Sequence, residues 1–137
     1  MLKVVIDTGV FIRGIIGKGS SRGVLEEFKK GTFILCISPL IYEEILGTIA
    51  RAKFKEIISS EKIQEIADLI KERASFITPS EKIDIVRDKE DNKFIECALA
   101  TKSKFLISTD KDLLSIKKYN NVNIITPHQF LKYLHSL

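Results

Sequence analysis

Short β-branched or apolar runs alternate with amphipathic stretches along the whole chain, and this alternation limits the fold more than any other feature. Five runs have strand character: Val4-Val5-Ile6, Phe33 to Ile37, Phe76-Ile77, Phe105 to Ser108 and Val122 to Ile125. Between them, apolar residues recur at helical spacing, as in Val24-Leu25-Phe28 and Ile63-Ile66-Ala67-Ile70. Strands separated by helices pair in parallel, and a parallel sheet needs helices over both faces. The reading is α/β: a three-layer α/β/α sandwich around a central parallel sheet of about five strands, in one domain over residues 1–137. No internal repeat, low-complexity tract or linker interrupts it.

Local signals punctuate the elements. A break at Gly17 to Ser21 separates a short helix over Val10 to Ile16 from a second helix capped by Ser20 or Ser21 and closed by Gly31. Ser38-Pro39 starts a helix that runs to about Arg51, with Ser as cap and Pro in the first turn. Further helices are expected over about Glu61 to Arg73, from Asp91-Asn92 onward, and near Asp112 to Lys117. Pro79 to Glu90 reads as a loop with an extension at Ile83 to Val86. Thr126-Pro127-His128-Gln129 is a capping box that opens the last helix.

Composition excludes several classes. The apolar share is 45%, ordinary for a globular chain and too high for disorder. No apolar run reaches the roughly 18 residues that span a bilayer. Asp7 arrives too early for the N-terminus to be a signal peptide, so a soluble, cytoplasmic protein is expected. Cys36 and Cys97 are far apart in apolar surroundings and read as buried free thiols. The net charge of +4 is compatible with a phosphate-bearing partner without establishing one.

The acids hold the functional signal. Asp7 follows the first strand and Asp110 the fourth, and ligand sites of open α/β sheets form beyond the carboxyl ends of strands. Asp91 lies at a helix start, and Glu43 and Glu44 lie in the helix after strand two. Each has an ordinary explanation as a cap, a first-turn acid or an exposed helical residue. Together, with right-handed crossovers, they converge at one edge of the sheet. Two carboxylates about 4 Å apart repel by roughly 4 kcal/mol at an effective dielectric near 20. No array of Lys or His is evident to neutralise such a cluster, so a cation is expected. All-oxygen ligands point to Mg²⁺ or Mn²⁺. His128 and His135, in the last helix, are read as structural or surface residues.

Four segments resemble the PIN-domain family, specifically its small VapC-like members, the toxin components of toxin–antitoxin systems. They are Val5-Ile6-Asp7-Thr8-Gly9-Val10; Ser38-Pro39-Leu40-Ile41-Tyr42-Glu43-Glu44-Ile45-Leu46 with Arg51-Ala52-Lys53-Phe54; Asp91-Asn92-Lys93-Phe94-Ile95-Glu96-Cys97-Ala98-Leu99-Ala100; and Leu106-Ile107-Ser108-Thr109-Asp110-Lys111-Asp112-Leu113-Leu114. The resemblance covers essentially the whole chain, and the four segments in this order are specific where any one is weak.

The resemblance implies that Asp7, Glu44, Asp91 and Asp110 are the catalytic, metal-binding acids. Glu44 is chosen over Glu43 because the family's acid lies six residues after the helix-capping Ser, here Ser38. Asp88 and Asp112 are weaker metal candidates. Thr8, Asn92, Ser108 and Thr109 are expected to hydrogen-bond the acids or a bound water. Lys53, Lys55, Lys104 and Lys111 are candidates for holding an RNA backbone. The implied activity is Mg²⁺- or Mn²⁺-dependent hydrolysis of RNA, leaving 5′-phosphate and 3′-hydroxyl ends. An antitoxin partner and a homodimer are implied as well. One residue departs from the family: Gly9 stands where an Asn is frequent.

Two other activities fit less well. Asp7-Thr8-Gly9 matches the triplet of aspartic proteases, but those are β-rich and need two such loops. A dehalogenase-type phosphatase needs a second Asp at position 9. The serious rivals are a PIN-fold binding module that acts through a protein or RNA partner, which Gly9 motivates, and an RNA-processing nuclease outside any toxin pair.

Overall fold

A computed structural model describes residues 1–17, 19–51 and 56–137. Strand β1 (Lys3–Ile6) leads into α1 (Thr8–Ile16) and α2 (Gly19–Lys30), then β2 (Ile34–Ile37), α3 (Pro39–Ala50) and α4 (Ser60–Arg73). Strand β3 (Ser75–Phe76) is followed by a long loop, a 3₁₀ turn (Lys89–Asp91) and α5 (Asn92–Thr101). The chain ends with β4 (Phe105–Ile107), α6 (Lys111–Leu114), β5 (Lys118–Tyr119), β6 (Val122–Ile125) and α7 (Pro127–His135). Among the described residues, no helix is long and apolar enough to cross a membrane.

The strands form one sheet in the order β3-β2-β1-β4-β6-β5. Every neighbouring pair is parallel except β5 with β6. The α/β architecture matches the sequence reading, with one strand more than expected. Strand β5 is two residues long and lacks an apolar run, so periodicity misses it. It pairs Tyr119 with Val122 across Asn120-Asn121, and Asn120 takes a left-handed φ of 52°. Two asparagines between paired residues are a hairpin signal that was available.

Burial explains why β1 is central. Val4, Val5 and Ile6 are 0–2% exposed, and successive strand residues face opposite sides of a sheet. Both faces are therefore covered. Each such side chain contributes about 1.5–3 kcal/mol on burial. On one side, aromatic rings run in contact from Phe11 through Phe28, Phe33, Phe130 and Phe105 to Tyr133, with centroids 4.8–6.4 Å apart. They tie α1, α2 and α7 to the sheet. Cys36 and Cys97 are buried free thiols, as the sequence suggested.

Most helix signals operate as read. Ser38 accepts from the Ile41 N–H at 3.2 Å with Pro39 following, and Thr126 and Gln129 complete the capping box. The start of α2 differs. Ser20 and Ser21 lie inside the helix, and Ser21 is buried. The break is shorter than expected because α1 and α2 cross closely. Gly17 closes α1 with φ 87°, and α2 begins at Gly19. The span Ile83 to Val86 is not a strand. It is held as an irregular segment by side chains of α5.

The order of the sheet creates the site. The chain leaves β1 toward β2 on one side and returns to β4 on the other. The carboxyl ends of β1 and β4 therefore meet where the strand order reverses.

The helix crossing gives a test of packing. A Cβ on Gly14 would lie 2.8 Å from the Ser21 carbonyl oxygen and 3.1 Å from the Leu25 Cβ. One on Gly23 would meet the Leu131 Cδ1 at 2.7 Å, the far end of a flexible side chain. Helix propensity favours Ala by up to about 1 kcal/mol at either site. We expect Gly14→Ala to destabilise by about 1–3 kcal/mol in urea unfolding, because backbone must move, and Gly23→Ala to be near neutral.

Candidate active site

Asp7 is the cap of α1. Its Oδ1 accepts from the Val10 N–H at 2.8 Å, and its own N–H donates to the Ile107 carbonyl at 3.0 Å. The second bond joins the ends of β1 and β4. Its other carboxylate oxygen accepts from the Ser108 hydroxyl. Ser108, 0% exposed, in turn accepts from the Asp110 N–H at 2.9 Å. One hydroxyl thus fixes both strand-end acids. Asp110 caps α6 through the Leu113 N–H at 3.2 Å. Each cap uses one carboxylate oxygen, and both residues also line the pocket described below.

Asp91 is different. It holds the cap position of α5 but makes no side-chain cap bond. Its carboxyl instead shares a hydrogen bond with Asp110. Burial, that bond, and the charges of Asp110, Asp88 and Asp7 push it up to about 7. Asp7 is also raised, first by burial and further by Asp110. Hydrogen bonds from Ser108 and Val10 and the charge of Arg13 oppose the shift. Three acids from separate segments therefore sense one another, as expected of a cluster built without its counter-charge.

Glu44 reaches the site from α3, while Glu43 is exposed. The Thr8 hydroxyl donates to Glu44 Oε2, and Lys93 Nζ lies 2.7 Å from Oε1. The expectation that no lysine neutralises the cluster is thus corrected for Glu44. Lys93 had no signature in the sequence, because its burial arises only where α3 packs on α5.

Asp7, Glu44, Asp91 and Asp110 line one pocket of about 550 Å³, together with Thr8, Thr109, Lys111 and Asp112. Gly9 lines it too. A Cβ there would rest 3.6 Å from Asp7 Oδ1, an ordinary contact. Arg13 and Arg87 also face the pocket, and the sequence reading missed both. Arg13 donates to the Thr109 hydroxyl at 2.7 Å. Its signal was its place one helical turn after Gly9 on the same face.

Other candidates fall elsewhere. Asn92 does not hydrogen-bond the acids. Its amide oxygen accepts from the Ile85 and Val86 N–H groups at 3.0 and 2.9 Å, and its nitrogen donates to the Lys89 carbonyl. It fixes the loop that carries Arg87 and Asp88. Asp88 accepts from the Glu90 N–H at 3.1 Å and adds its charge to the field at Asp91. Lys104 lies at the opposite end of the sheet, where its N–H donates to the Lys3 carbonyl and its ammonium to the Tyr133 hydroxyl. It cannot serve the same pocket as Lys111, because β4 separates them. His128 and His135 are exposed on α7. Lys53 and Lys55 lie outside the described residues.

The donor set is all oxygen, carboxylates with hydroxyls behind them, which suits Mg²⁺ or Mn²⁺. Among the described residues, no three His, Cys, Asp or Glu side chains stand close enough together to hold a metal ion as they are placed. The acids border an open pocket instead.

The sequence pattern of the PIN domain matches residues 3–112. The chain belongs to the PIN domain family. The uncharacterized protein MJ1680 of Methanocaldococcus jannaschii is 31% identical over 141 residues, covering 96% of this chain and 90% of that protein. Among solved structures, VapBC2 from Rickettsia felis bound to a DNA fragment from their promoter superposes with a TM-score of 0.59 at 17% identity, over 91% of this chain and 98% of that one. PAE2754 from Pyrobaculum aerophilum also gives 0.59, at 13% identity, over 99% of this chain and 91% of its own. These two show the shared fold. PIN domains are generally nucleases that use divalent metals, so membership supports a hydrolase acting on nucleic acid.

The raised acid has a thermodynamic consequence. Asp91 has an ordinary value of 3.8 and titrates near 7 in the fold, so between those values the folded state holds the extra proton. Its stabilising contribution is complete below about 4 and is lost as pH rises through about 7. Thermal melts in EDTA should show Asp91→Asn melting above wild type at pH 8, by roughly 2–6 °C, with the difference closing toward pH 5.

Proposed function

We propose that the protein is a Mg²⁺- or Mn²⁺-dependent endoribonuclease with Asp7, Glu44, Asp91 and Asp110 as the acids of its metal site. We propose further that it is the toxin of a toxin–antitoxin pair and acts as a cytoplasmic homodimer. The observation that carries the activity is the convergence of Asp7, Asp91 and Asp110 on one pocket at the sheet's reversal point, with Arg13, Arg87 and Lys111 on its walls. Acids alone would repel a phosphodiester. Acids with a cation, beside basic side chains, attract one.

A bound divalent cation would supply an activated water and a charge to stabilise the leaving oxygen. The chain's own residues do the rest. Ser108 holds one oxygen of Asp7 while Val10 holds the other, which fixes the carboxylate plane. Burial and the neighbouring Asp110 raise Asp91 to about 7, and a bound cation would favour its ionised form. Arg13, anchored on Thr109, and Lys111 line the pocket and would bind phosphate oxygens of the RNA. The fold shared with VapBC2, solved on a DNA fragment from their promoter, supports an antitoxin partner for this chain.

Asp7→Asn and Asp91→Asn should each lower Mn²⁺-dependent cleavage of RNA by more than about a hundredfold while circular dichroism stays that of wild type. Unchanged cleavage in the double variant would contradict the acid site. A wild-type protein that binds no Mn²⁺ and cleaves no RNA would leave the binding module, the reading Gly9 favours. Gly9→Asn offers a separate check. The position tolerates a side chain next to Asp7, so the variant should fold as wild type and raise kcat/KM by up to about tenfold.

A further inference from the structure

The pocket's acids are not equivalent, and the difference comes from one buried lysine. Lys93 belongs to α5, and its side chain is 9% exposed. Its ammonium lies 2.7 Å from Glu44 Oε1 and donates to the Glu90 carbonyl at 2.6 Å, and it stands 5.2 Å from the centre of the Phe94 ring. The Glu90 carboxylate, 3.8 Å away, is 87% exposed and adds little. Glu44 is therefore the main counter-charge of a buried ammonium, and such a charge is costly to leave unpaired. The second oxygen of Glu44 already accepts from Thr8. Asp7, Asp91 and Asp110, by contrast, make no ion pair among the described residues.

We propose that Lys93 is a positioning residue that acts as the built-in cation of the Glu44 side of the site. The pocket then takes one divalent ion per chain, held by Asp7, Asp91 and Asp110, and Glu44 is withdrawn from direct ligation. An ammonium 2.7 Å from Oε1 repels a second cation from the carboxylate it already neutralises. The ion pair also ties α3 to α5 beside the pocket, so Glu44 orders the site without touching the ion. The inference rests on the metal-dependent reading and refines the ligand set within it.

The test is a Mn²⁺ titration of the full chain by calorimetry, with native mass spectrometry for stoichiometry. Wild type should bind one ion. Lys93→Met frees Glu44, and it should bind the first ion on the order of tenfold more tightly and take a second. Glu44→Gln leaves Lys93 uncompensated and should weaken the single ion by about the same factor. The double variant K93M/E44Q replaces the ion pair with neutral groups of similar size, which a fold generally tolerates. It should bind one ion within about threefold of wild-type affinity. A double variant weakened about a hundredfold would make Glu44 a direct ligand and overturn the inference alone, as would wild type binding two ions. Wild type binding no ion would overturn the metal reading and the inference with it.

Discussion

The pairing of β1 with β4 is the constraint on which the site depends. Their ends are joined by the hydrogen bond from the Asp7 N–H to the Ile107 carbonyl, and past that bond each chain delivers an acid. Ser108 then bridges the two by donating to the Asp7 carboxylate and accepting from the Asp110 amide. The strands can be this short because both faces of β1 are fully covered. The apolar core supplies the energy that forces carboxylates together against their repulsion.

Around this axis the surrounding elements divide the work. α5 brings Asp91 in at its first turn with the carboxylate not used as a cap, and Asn92 beside it pins the loop of Arg87. α3 brings Glu44, already paired with Lys93. α1 brings Thr8, Gly9 and Arg13 along one face. Backbone N–H groups orient the carboxylates of Asp7 and Asp110, Ser108 adds a second bond to Asp7, and Thr8 and Lys93 hold Glu44, all without a metal. Burial and the charges of Asp110, Asp88 and Asp7 raise Asp91, and a bound cation would oppose that shift.

Much of this was legible in the sequence. β-branched runs alternating with helical periods gave the parallel sheet, and Ser38-Pro39 and Thr126 through Gln129 gave their helix starts. The four segments that resemble PIN domains led to the acids that share the pocket. What was missed has a common cause. Lys93, Arg13 and the short β5 owe their roles to contacts between elements distant in sequence, or to a turn of two residues. Asn92 and Lys104 were drawn toward the site by their neighbours in sequence. Helix packing sent the amide of Asn92 to a loop, and the direction of β4 put Lys104 at the other end of the sheet. Periodicity reports which face of an element is apolar, and it does not report which partner that face meets.

In the proposed function, these acids hold a divalent cation. The most direct measurement is a crystal structure of the protein grown with Mn²⁺, with diffraction recorded near the manganese absorption edge. An anomalous peak is expected in the pocket, with carboxylate oxygens of Asp7, Asp91 and Asp110 at about 2.0–2.3 Å, the range for small oxygen-ligated divalent ions. A pocket with no anomalous density at millimolar Mn²⁺ would contradict it.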